Sequence, residues 1–146
     1  MNDFNIYLAG GMDKFGKERF DEGNDWRIDL KCALSNLGCN RNVRIINPND
    51  YYNFLNDNTY DSELEVMDFD LNKVRNSHLI VCNFNDIGSL GTMAEIAIAY
   101  EKRIPVIGLC EDCEIDNLHP WQKSICNKIF VDKEDLISYV SSYYLD

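Results

Sequence analysis

The chain lacks a long apolar run and any excess of basic residues. No run of about 18 apolar residues occurs in it, so nothing is expected to span a membrane. With 14 Lys and Arg against 25 Asp and Glu, the formal net charge is -11. No basic stripe exists to release counterions from a phosphate backbone, so nucleic acid is not the expected partner. Small anionic substrates stay open, because a few local cations and backbone N–H groups outweigh a distant net charge. Two nucleotide-binding loops are also absent: neither G-x-G-x-x-G nor a Walker A sequence occurs, and Gly10-Gly11 is no substitute. There are no repeats, low-complexity tracts or linkers. Met1-Asn2-Asp3-Phe4-Asn5 has neither the basic start nor the apolar core of a signal peptide, so none is expected.

Metal-binding signals are equally thin. Six cysteines are spread along the chain, at 32, 39, 82, 110, 113 and 126. Cys110-Glu111-Asp112-Cys113 has the gap of a zinc half-site, but no second Cys or His pair complements it. No metal and no cofactor are expected. The cysteines read as reduced, mostly buried thiols of a cytoplasmic protein. His119, beside a proline, reads as a surface residue, and His78, opening a strand, as a structural one.

What is present is an alternation of strand and helix signals over residues 1–146, expected to form a single domain. Strands are expected at Asn5–Ala9, Val43–Ile46, Leu79–Cys82, Pro105–Leu109 and, more weakly, Lys128–Val131. Helices are expected at Lys17–Leu37, Ser62–Arg75, Met93–Lys102 and Lys133–Leu145. Gly38 is free to adopt the positive φ that stops the first helix. Ser62, Asp61 or Thr59 would cap the second. Tyr51–Tyr60, aromatic and Asn-rich with no clear period, reads as a loop or short helix able to cover a site. Short parallel strands with right-handed crossovers make a flavodoxin-like or Rossmann-like α/β sandwich, a five-stranded parallel sheet with helices on both faces.

The chemistry concentrates in Asn83 to Tyr100. An apolar strand runs into Asn83-Phe84-Asn85-Asp86-Ile87-Gly88-Ser89-Leu90-Gly91, then into a helix. Open α/β sheets place ligands at such strand ends. Gly88 and Gly91 permit close backbone approach. With Thr92 as N-cap, Glu95 is the third helical residue and the reciprocal member of a capping box. Glu95 is also a carboxylate at the sheet's carboxyl edge, in reach of the helix dipole.

Three motifs in order, Tyr7-Leu8-Ala9-Gly10-Gly11, Asp70-Leu71-Asn72-Lys73-Val74 and Ser89-Leu90-Gly91-x-x-x-Glu95, resemble the nucleoside 2-deoxyribosyltransferase superfamily, including the related nucleoside 5'-monophosphate N-glycosidases. The resemblance covers roughly Ile6 to Val131. It implies that Glu95 is a nucleophile forming a covalent (deoxy)ribosyl intermediate, that Asp70 contacts and protonates the leaving base, and that Tyr7 orients Glu95. It further implies that Gly10, Gly11 and Met12 line the pocket, and that the protein is a homo-oligomer with shared sites. Without the resemblance, Asp70 reads as a solvated residue on a polar face and Tyr7 as core packing.

Ser89 separates the two activities. The transferases resembled here carry Asp six residues before the nucleophile, against the sugar 5'-hydroxyl; the monophosphate N-glycosidases carry Ser, against the 5'-phosphate. A carboxylate repels a phosphate, whereas a hydroxyl in a Gly-rich turn at a helix start favours one. The residue also reads as an ordinary turn serine. Asp86 could still reach a 5'-hydroxyl. Lys14, Lys17 and Arg19 would complete a phosphate site or else start a solvated helix. Asn117, in Asn117-Leu118-His119-Pro120-Trp121, resembles the residue that reaches a neighbouring subunit's site. The expected activity is cleavage of the N-glycosidic bond of a small-molecule nucleoside or nucleotide, leaning to the 5'-monophosphate. The alternatives are base exchange between nucleosides and a non-catalytic nucleotide-binding protein on the same fold.

Overall fold

A computed structural model describes residues 3–12, 15, 18–51 and 62–146. Lys14, Lys17 and most of the aromatic stretch expected at 51–60, together with Thr59 and Asp61 as caps, lie outside the described residues. Five strands, β1 (Asp3–Gly10), β2 (Asn42–Ile46), β3 (Leu79–Asn83), β4 (Val106–Leu109) and β5 (Lys128–Phe130), alternate with helices α1 (Phe20–Ser35), α2 (Glu63–Arg75), α3 (Leu90–Glu101), α4 (Pro120–Ile125) and α5 (Lys133–Val140). The strands form one parallel sheet in the order β2-β1-β3-β4-β5. That is the doubly wound flavodoxin order.

The central strands read as unbroken apolar runs because helices cover both faces. All five residues of β3 and all four of β4 are buried. Phe4, Ile6 and Leu8 of β1 pack with Trp26, Leu30 and Leu34 of α1 and Leu136 and Val140 of α5. Tyr7 and Ala9 face the other way, onto Val74 of α2 and Ile96 and Ala99 of α3. The strand's period of two thus sends Tyr7 to the α2/α3 side. Each fully buried Val, Leu or Ile among them contributes about 1.5–3 kcal/mol. No helix among the described residues is long and apolar enough to cross a membrane.

Several boundaries differ from expectation for local reasons. The first helix starts at Phe20 and stops at Ser35, with Gly38 at φ +60. The last helix keeps α geometry to Val140 and widens into a π turn over Ser141–Leu145. Ser62 caps α2, accepting from the Glu65 N–H. The short helix α4 was not anticipated; His119 caps it in a reciprocal box with Gln122, and Pro120 occupies its first turn. The reading of six reduced thiols is corrected at one pair. Cys110 and Cys113 form a disulfide across the turn after β4, their Cα atoms 5.4 Å apart, within bridging distance. Of the four free cysteines, only Cys82 is fully buried.

Candidate active site

In this strand order the chain leaves β1 and β3 in opposite directions, so a crevice opens at their carboxyl ends. Gly10 of β1 sits in register with Asn83 of β3 there. The turn after β1 is held by Asn85: the Gly11 N–H donates to Asn85 Oδ1 at 2.9 Å, and Asn85 Nδ2 donates to the Gly11 carbonyl at 3.4 Å. A Cβ on Gly11 would lie 2.8 Å from Asp86 Cβ, and one on Gly10 would lie 2.6 Å from Trp26 Cζ2. Both contacts are too close for any side chain. Gly10→Ala is therefore expected to destabilise the protein by about 1–3 kcal/mol, measured as a lower urea midpoint with an unchanged m-value. Gly88 and Gly91 differ from that pair. Among the described residues none crowds Gly91, and the approach to Gly88 is an ordinary 3.6 Å.

Glu95 is not a capping residue. Ser89, not Thr92, is the N-cap of α3: its Oγ accepts from the Thr92 N–H at 3.3 Å and lies 2.9 Å from Thr92 Oγ1. The helix therefore begins three residues earlier than expected, and Glu95 falls in its second turn. There its carboxylate accepts a hydrogen bond from the hydroxyl of fully buried Tyr7. Asp70 lies one turn before Val74 on α2, the side that packs on the α3 face. Its charge couples to Glu95.

These neighbours set the proton affinity of Glu95. Burial pushes its pKa up from the usual carboxylate range to about 8; the Tyr7 hydrogen bond opposes that shift, the Asp70 charge adds to it, and the Arg27 charge opposes it. The folded protein thus holds this proton more tightly than the unfolded chain does. The associated stability is complete below about 4.5 and is lost as pH rises through about 8.

The loop ahead of α3 is held from two sides. Asp86 Oδ1 accepts from the Gly88 N–H at 3.1 Å, and Gln122 Nε2 of α4 donates to the Ile87 carbonyl at 3.0 Å. Met12 closes the β1 turn, its Sδ 3.1 Å from Arg27 Nη1. Arg19 is engaged with Glu22, at 2.7 and 2.5 Å. Asn117 is exposed at the end of a single helical turn, Ile115–Asn117. The structure thus brings Tyr7 and Asp70 to Glu95 and sets Gly11 beside Asp86, with the Ser89 N–H bonded to the Asp86 carbonyl and Met12 against Arg27.

Sequence reasoning missed Asn85 and Arg27, both buried and both bonded to the β1 turn. It also missed a buried amide cluster beside them, in which Asn47 and Asn49 donate to Asn24 Oδ1 at 3.1 and 2.9 Å. The signal available was weak: an arginine next to a tryptophan inside an otherwise apolar helical stripe. Among the described residues no group of three or more His, Cys, Asp or Glu side chains is placed to hold a metal ion.

No family model matches the chain, and no curated protein matches its sequence. Solved structures do match in fold. A 2-deoxyribosyltransferase from Bacillus psychrosaccharolyticus superposes with a TM-score of 0.71 at 19% identity, covering 92% of this chain and 91% of that one. A 2-deoxyribosyltransferase from Leishmania mexicana gives 0.68 at 15% identity over 97% and 99%. A CMP N-glycosidase from Clostridium botulinum gives 0.59 at 18% identity over 95% and 98%. The chain has the α/β fold of these enzymes.

Proposed function

We propose that this protein cleaves N-glycosidic bonds of nucleosides or their 5'-monophosphates, with Glu95 as nucleophile. The observation that carries the reading is the hydrogen bond from buried Tyr7 to Glu95 on the α2/α3 side of the sheet. A carboxylate held there by a donor of fixed geometry is pre-aimed at an anomeric carbon. In the first step a Glu95 oxygen bonds to that carbon, and the glycosidic electron pair leaves with the base. Asp70 gives a proton to the departing base nitrogen, so in the reacting form the one proton that the Asp70–Glu95 pair holds below about pH 8 sits on Asp70. In the second step water or another base attacks the same carbon, its proton passes to the Asp70 carboxylate, and Glu95 is released as carboxylate. Water gives hydrolysis; a base gives exchange.

The pH dependence isolates Glu95 when the leaving group departs without protonation. With such a substrate kcat/KM should rise as pH approaches about 8, because only the ionised carboxylate attacks. Tyr7→Phe removes a donor that favours the ionised form, so the rising limb should move to higher pH. Asp70→Asn removes a like charge, so the limb should move lower. Limbs that coincide in all three proteins would contradict this assignment of the groups around Glu95.

Ser89 favours the 5'-monophosphate as substrate, because its hydroxyl caps α3 at a helix N-terminus, where an anion is stabilised. One observation supports the transferase reading: the Asp86 side chain runs alongside Gly11, and a carboxylate in the pocket would accept from a 5'-hydroxyl. The reading includes a homo-oligomer with shared sites. Leu64 and Met67 on α2, Leu90 at the start of α3 and Trp121 on α4 are exposed apolar side chains that a second copy would cover. Incubation with a panel of nucleosides and 5'-monophosphates, with and without free adenine, followed by chromatography of bases, tests the function. Released base supports hydrolysis and exchanged base supports transfer. Binding without either supports a non-catalytic nucleotide-binding protein.

A further inference from the structure

Arg27 heads the fully buried side chains among the described residues, at 1% exposure in the middle of α1. Its guanidinium donates from Nη2 to the Gly10 carbonyl at 2.8 Å and from Nη1 to the Gly23 carbonyl at 2.9 Å. It also stacks 4.7 Å from the centre of the Trp26 ring. Desolvating a guanidinium costs several kcal/mol, and apolar replacements of buried ionic groups are often neutral or stabilising. Core packing alone therefore does not explain an arginine here.

Its placement does. α1 and α3 cover opposite faces of the sheet: Arg27 reaches the Gly10 carbonyl of β1 from the α1 side, and Glu95 accepts from Tyr7 of the same strand on the α3 side. We propose that Arg27 is a positioning residue for the reaction: its guanidinium fixes the Gly10-Gly11-Met12 turn and sets a positive charge across the β1 end from the Glu95 carboxylate. The kinetic part of this inference rests on the N-glycosidic reading; the structural part does not. Among the described residues, four groups act on or beside Glu95. Tyr7 of β1 donates to it, Asp70 of α2 repels its charge and Arg27 of α1 favours that charge. Cys82 of β3 couples to Glu95 as well, its thiol pKa raised by burial. Arg27 is the cation among them.

Two variants separate fork from charge. Arg27→Lys keeps the charge but loses the planar fork. With a leaving group that needs no proton, its pH limb should stay in place while KM rises at least about fivefold. Arg27→Met removes both, so the limb should move to higher pH and kcat/KM at pH 7 should fall about tenfold. In both variants hydrogen exchange over 10–12 should quicken at least about tenfold, with β3 protection unchanged. Exchange at the wild-type rate in Arg27→Lys, or an unmoved limb in folded Arg27→Met, overturns the proposal. If Arg27→Met fails to fold, the KM and exchange of Arg27→Lys decide, and wild-type values for either overturn it. If the wild-type protein releases no base, the N-glycosidic reading fails, and exchange alone then decides for or against Arg27.

Discussion

Glu95→Gln is expected to fold like the wild type and to turn over at least about a hundredfold more slowly. Folding should survive because Gln still offers an oxygen to the Tyr7 hydroxyl. Capping gives no competing explanation of a loss, since Ser89 caps α3. The variant also removes a group whose ionisation becomes costly to the fold as pH rises toward about 8, so above that pH it should be more stable than the wild type. Thermal melting at high pH and steady-state rates at neutral pH together read both effects. A fully active, folded Glu95→Gln would remove the nucleophile from this account.

The second large effect concerns the 5' end of the substrate. A phosphate carries about two negative charges at neutral pH, and each charge-assisted hydrogen bond to it contributes roughly 1.5–3 kcal/mol. One such bond already exceeds the roughly 1.4 kcal/mol that makes a tenfold rate difference. A 5'-monophosphate should therefore react at least about tenfold better in kcat/KM than its nucleoside. Ser89→Asp should reverse the order. Asp retains an N-cap oxygen for the Thr92 N–H, so α3 should survive, while its carboxylate repels the phosphate and accepts from a 5'-hydroxyl. A wild-type preference for plain nucleosides, with base exchange, would make Asp86 the 5' ligand and transfer the activity.

Much of the scaffold was legible because its signals are local. Leu79 to Cys82 is an apolar run bounded by turn residues, and a run buried on both faces is how an inner parallel strand reads. The start of α3 lies three residues before the one that Thr92 as cap predicts, because Ser89 and Thr92 are both good N-caps and spacing does not choose between them. That choice decided whether Glu95 looked like a cap. The pairing of Tyr7 with Glu95 spans 88 residues and has no local signature; resemblance alone brought the two together in the sequence. Asn85 and Arg27 escaped for a related reason. A buried arginine is indistinguishable in sequence from a solvated one until the sheet shows which face of α1 is covered. The Cys110–Cys113 bridge depended on the turn geometry after β4, which a two-residue gap does not specify.

The central claim is a covalent bond between Glu95 and the sugar, and mass spectrometry of the protein quenched during turnover tests it directly. The active nucleoside or 5'-monophosphate from the panel is mixed with wild-type and Glu95→Gln proteins, acid-quenched and digested. The account predicts a (deoxy)ribosyl or phospho(deoxy)ribosyl mass increase on the wild-type peptide containing Glu95, absent in the variant. Base release with no adduct on that peptide, or with an adduct on another residue, would contradict it.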